Sequence, residues 1–123
     1  MMDRLNQAEV LEQAADLIET VGHAKGMSRS FDSDGFTATG FCITGALGQV
    51  GRYRAISIES GIMELLHAKL VAQGSLTRII YSWCDSRNSV IEWNDDDRTT
   101  KAEVIDLLKN TAKDIRNEGI PHE

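Results

Sequence analysis

Two stretches of this chain carry apolar residues at a spacing that only an α-helix turns into one continuous face. Val10, Leu11, Ala14, Ala15, Leu17, Ile18 and Val21 form the first, and Val104, Ile105, Leu107, Leu108, Ala112 and Ile115 form the last. Residues three and four apart lie on one side of a helix, so each stretch presents an apolar stripe that must be buried against another element. The first helix is predicted over Gln7–Val21. Asn6 and Glu9 form a capping box at its start, Leu5 and Val10 flank it as a staple, and Gly22 stops it. The last helix opens on the Thr100/Glu103 capping box and closes at Gly119 and Pro121. Pro121 is the only proline, so nothing interrupts the helices between.

The least charged run, Gly40 to Gly51, alternates bulky apolar residues (Phe41, Ile43, Leu47, Val50) with glycine and alanine. It reads as a short central helix, Phe41–Val50, with longer helices around it and glycines one turn apart allowing close packing. A third helix is expected over Ser57–Gln73, ended by Gly74. Ser75 then caps a short helix with Leu76, Ile79, Ile80 and Trp83 on one face. The β-formers Ile79-Ile80-Tyr81 leave residues 76–93 open between helix and strand. Ser86–Ser89 reads as a loop, Val90–Trp93 as an apolar anchor, and Asn94–Asp97 as an acidic turn. An Asp34-Gly35 step suggests a small β-hairpin within residues 28–39. The expectation is a mainly α, single-domain bundle of about five helices spanning residues 1–123.

Composition narrows the function classes. The net charge of −6 argues against direct binding to a nucleic-acid backbone, which needs a basic face. There is no signal-peptide pattern and no apolar run near ~20 residues, so no membrane span is expected. Two distant cysteines make no disulfide framework, and a cytoplasmic protein with reduced thiols is expected.

The residues that could carry chemistry are few. Cys42, at the start of the central helix, could be a nucleophile with His67 or His23 as base and Asn94 or Asp95 as orienting group. The plainer reading makes it a small buried hydrophobe. Glycines 40, 45, 48 and 51 match neither a Walker A loop nor a dinucleotide fingerprint. Asp32 and Asp34 lack the remaining ligands of an EF-hand loop. Cys42, Cys84, His23 and His67 offer zinc-binding ligand types without the paired spacing of a zinc site. Trp93, Asn94 and Asp95, with Asp96 and Asp97, could hold a hard cation, but a buried Trp and an acidic turn ahead of a helix are a sufficient account of them. Arg52, Tyr53 and Arg54 are the best local positive patch, with Lys25 and Arg29 as basic residues that could join it to clamp a phosphate.

Taken in order, several of these features resemble a family of small bacterial and phage proteins of unknown function. The features are an amphipathic helix ending in Val21-Gly22, Cys42 followed by Gly45-Ala46-Leu47, Trp93-Asn94-Asp95, and Thr100 through Val104 opening the last helix. The similarity runs from about Leu11 to Ile115. The chain departs from the family where His23 replaces a frequent Trp. The resemblance implies a helical fold and supplies no activity.

The functional expectation is a non-enzymatic binding module without cofactor or metal, a phage or bacterial accessory protein that binds a host protein or sequesters a small nucleotide-like ligand. Self-association as a homodimer would finish burying the apolar stripes. The alternatives are a cysteine-dependent hydrolase or transferase at Cys42, and an acidic decoy of a nucleic-acid-binding protein.

Overall fold

A computed structural model describes residues 4–27, 29–35, 37–54, 61–78 and 86–118. Helix α1 (Arg4–Val21) leads into a two-stranded antiparallel hairpin, β1 (Arg29–Phe31) and β2 (Ala38–Phe41). There follow α2 (Ile43–Arg54), α3 (Ile62–Ala72), a 3₁₀ turn (Ser75–Arg78), α4 (Ser86–Asp95) and α5 (Lys101–Glu118). The architecture is mainly helical, as the periodicity requires.

The two stripes read from the sequence meet each other. Ala8, Leu11, Ala14, Ala15 and Ile18 of α1 and Val104, Leu107, Leu108, Ala112 and Ile115 of α5 belong to one buried cluster. Alanines on α1 let the two backbones approach, while the leucines and isoleucines supply apolar area, at about 25 cal/mol for each Å² buried. The helices run antiparallel. Arg116 donates to both Glu12 carboxylate oxygens (2.7 and 2.9 Å), and Lys101 reaches the Glu19 carbonyl at 3.1 Å. The Arg116 hydrogen bond holds the Glu12 carboxyl below its ordinary range. At the start of α5 the box closes as expected. Thr100 N–H donates to Glu103 Oε1 (2.9 Å), and Glu103 N–H donates to Thr100 Oγ1 (3.1 Å).

The central element is α1 rather than the glycine-spaced helix. It packs against α5, α2 and β2, whereas α2 packs against α1, α4 and β2. Phe41 belongs to β2, and α2 begins two residues later and continues past Gly51 to Arg54. The glycines of that run differ in purpose. A Cβ at Gly40 would stand 2.9 Å from Ser30 Oγ and 3.1 Å from the His23 carbonyl, so this position does permit a close approach. One at Gly48 would meet nothing within 4 Å, which removes the close-packing reading there.

The hairpin falls where Asp34-Gly35 suggested, with Gly35 at a φ of 75° and Asp34 accepting from Thr37 N–H at 2.9 Å. Helix α1 starts at Arg4, ahead of the Asn6 cap. Residues 86–89 are helical, not a loop, and the Trp93-Asn94-Asp95 stretch is the last turn of α4 rather than a free turn. Ser89 is fully buried and Val90 lies in the core, so burial overrides the turn preference of Ser and Asn here. The predicted helix start at 57–60 and the undecided residues 79–85 lie outside the described residues.

Candidate functional site

Two places on the molecule gather polar side chains in ways that bear on function. The first is a corner where the segment after α1, the start of α2 and the end of α4 meet. Gly22 breaks α1 with a φ of 139°, and a Cβ there would fall 2.3 Å from the Thr39 carbonyl oxygen. The chain can therefore turn against β2. Phe41 N–H donates to the Gly22 carbonyl (2.9 Å) and Ala24 N–H to the Phe41 carbonyl (3.0 Å), adding residues 22–24 as a parallel bridge on β2.

Asn94 locks this corner. Its side chain, on a residue only 1% exposed, makes four hydrogen bonds. Oδ1 accepts from His23 Nε2 (2.8 Å) and from Ile43 N–H (3.2 Å), and Nδ2 donates to the Ala24 carbonyl (3.1 Å) and Asp95 Oδ1 (2.9 Å). The backbone partners at Ile43 and Ala24 fix which way the amide faces, and so require the proton of His23 to sit on Nε2. Two further bonds tie the same loop to α4. Gly26 N–H donates to Asp95 Oδ1 (2.9 Å), and Lys25 Nζ donates to the Asp96 carbonyl (2.6 Å).

Cys42 sits at this corner as the cap of α2. Its sulfur accepts from Gly45 N–H (3.3 Å) and lies 3.0 Å from Thr44 Oγ1, satisfying one of the open donors of the first helical turn. The corner thus brings Cys42, His23 and Asn94 together. Among the described residues the thiol bonds Thr44 and Gly45, and His23 bonds Asn94. His67 lies on α3, which packs chiefly against α4 and α5.

The acidic residues after Asn94 are engaged in holding the backbone. Asp95 takes the two bonds given above, and Asp96 accepts from the backbone N–H and guanidinium of Arg98 at 2.8–3.0 Å. No group of three metal-ligating side chains stands together among the described residues. Trp93 is 1% exposed and packs in the core, and among the described residues its indole N–H and the neighbouring Glu92 Oε2 are buried without a hydrogen-bond partner. The side chains of Arg52, Tyr53 and Arg54 lie outside the described residues, as does Cys84.

The second place is an open groove between α1 and α2, with a volume of about 470 Å³. Leu17, Val21 and Val50 form its apolar surface, and Gln13, Asp16, Thr20 and Gln49 its polar edges. Arg29 reaches its Gln49 edge from β1, donating from Nη2 to Gln49 Oε1 at 2.5 Å. The guanidinium also lies over two rings, with its centre 5.0 Å from the Phe41 centroid and 5.9 Å from that of Phe31. Lys25, which sequence reasoning grouped with Arg29, is instead committed to the Asp96 carbonyl.

Sequence reasoning missed this groove. Its one signal was that Leu17 and Val21 lie at the edge of the α1 stripe, beside Gln13, Asp16 and Thr20 on the polar side. Among the described residues no helix is long and apolar enough to cross a membrane. Comparison with curated proteins and with solved structures finds no match for this chain. A family model described as a family of unknown function, DUF6197, matches residues 2–114, and the chain belongs to that family.

Proposed function

We propose that this protein is a non-enzymatic binding module that holds a small, largely apolar molecule in the α1/α2 groove. The observation that carries the reading is the groove's composition. It joins a contiguous apolar surface of Leu17, Val21 and Val50 to a few hydrogen-bonding side chains at its edges. Its volume lies within the ~300–1,000 Å³ usual for small-molecule sites, which share that mixture. The Asn94 amide of the corner, by contrast, is consumed in holding the fold.

The test uses N-phenyl-1-naphthylamine, a neutral dye whose fluorescence rises in apolar surroundings. Binding to the native protein is expected at micromolar concentration. Thr20→Trp, at an exposed position on the groove edge, should weaken it several-fold while far-UV circular dichroism stays native. No fluorescence rise with the wild type, or equal binding by a folded Thr20→Trp variant, would refute the reading.

One observation favours a second reading, a cysteine-dependent hydrolase or transferase. His23 bonds Asn94 at the corner where the Cys42 thiol caps the α2 N-terminus, and these are the residue types a Cys-His-Asn enzyme uses. The rate of Cys42 alkylation by iodoacetamide as a function of pH decides it. A thiolate formed well below pH 8 supports the enzyme, and an unreactive thiol supports the capping role.

A further inference from the structure

The geometry points to Arg29 as the anion-recognising residue of the groove, so that its ligand is an amphiphile with an apolar body and one carboxylate- or phosphate-like head. This rests on the groove reading and adds to it the charge of the ligand. Three observations support it.

First, Arg29 has no carboxylate partner among the described residues, in a chain with 19 acidic side chains and a net charge of −6. The two other arginines whose side chains are described behave differently: Arg98 binds Asp96 and Arg116 binds Glu12. A guanidinium without a counter-ion amid excess acid is unusual, because a nearby carboxylate is the cheapest neighbour for it.

Second, the guanidinium is held in place without being neutralised. The Phe41 and Phe31 rings and the Gln49 amide oxygen fix its plane and occupy one of its five donors. A planar fork immobilised in advance loses little entropy when it meets a carboxylate or phosphate, and those are the groups it matches with two parallel bonds.

Third, the position is right. Gln49 both lines the groove and accepts the Arg29 bond, which sets the cationic fork one hydrogen bond from the groove's edge. A ligand lying along Leu17, Val21 and Val50 would bring a terminal anion to Arg29.

Two dyes with one aromatic skeleton separate this inference from the groove reading. 1-Anilinonaphthalene-8-sulfonate is N-phenyl-1-naphthylamine with an added sulfonate. Arg29→Gln should weaken the sulfonate dye about tenfold, the scale of one lost charge-assisted hydrogen-bond pair, and leave the neutral dye within about twofold. Arg29→Lys, which keeps the charge but not the fork, should fall between. Displacement of the neutral dye by decanoate, decyl phosphate and decanol then identifies the head group, with either anion expected to outcompete the alcohol.

If the neutral dye binds and Arg29→Gln leaves both dyes unchanged, the charge inference fails and the groove stands. Decanol displacing the dye as well as both anions refutes it equally. If the neutral dye does not bind at all, the groove reading itself fails. Far-UV circular dichroism confirms that each variant is folded before its affinities are compared.

Discussion

The corner locked by Asn94 and the groove edged by Arg29 use polar side chains in opposite ways. At the corner every hydrogen-bonding atom of a buried amide has a partner within the chain, so the group stabilises structure and has nothing left to offer a ligand. At the groove, polar and charged groups stand beside apolar surface with most of their bonding capacity unspent. The comparison teaches that the Asn94 amide spends all its bonds inside the fold, whereas the groove keeps polar groups with bonds to spare. A site for a ligand is better sought where partners are missing.

Substitutions break or sharpen this comparison in a definite order. Asn94→Ala should have the largest effect, about 3–4 kcal/mol in urea unfolding, because it strands the Ile43 N–H and the Ala24 carbonyl in the interior. A loss below about 1 kcal/mol would mean that the corner is not a clamp. Gly22→Ala comes next, at about 2–3 kcal/mol. Its Cβ would collide with the Thr39 carbonyl oxygen at a backbone angle that L-residues rarely adopt, and thermal denaturation reads the loss.

Cys42→Ala should cost about 1 kcal/mol as a lost helix cap, whereas Cys42→Ser, with a better capping oxygen, should cost less than half of that. The reverse order would show that the sulfur matters for more than capping. The smallest effect belongs to the Glu12–Arg116 pair, which is partnered like the corner but exposed like the groove. The folded-state pKa of Glu12 is lowered, so its contribution is present above the ordinary carboxylate range and fades as pH falls through the lowered value. Glu12→Gln should therefore leave stability nearly unchanged in strong acid and reduce it slightly at neutral pH.

What the sequence disclosed and what it concealed follow from the range of the interactions. The Thr100/Glu103 box and the turn at Asp34-Gly35 are made by residues within three or four positions of each other, and both were readable. So were the stripes of α1 and α5, since periodicity records a buried face without saying which partner covers it. The helix at Ser86–Asp95 was not readable. Ser86, Asn88 and Ser89 are turn-formers locally, and the helix is held by the burial of Val90 and Trp93 against distant elements.

Three of the four Asn94 bonds join positions 51 to 71 residues apart, beyond the reach of any local pattern. Cys42 was visible as a helix-start thiol and as a small buried side chain, and it is both. The groove was hidden because Gln13, Asp16 and Thr20 look like an ordinary wet face until α2 is laid beside them.

The most direct test is a ¹H–¹⁵N correlation spectrum of the native protein titrated with N-phenyl-1-naphthylamine. The account predicts shifts at Gln13, Leu17, Thr20, Val21, Gln49 and Val50, with the amides of Ala24, Ile43 and Asn94 unmoved. Shifts gathered around Cys42, His23 and Asn94, with the α1/α2 groove silent, would contradict it.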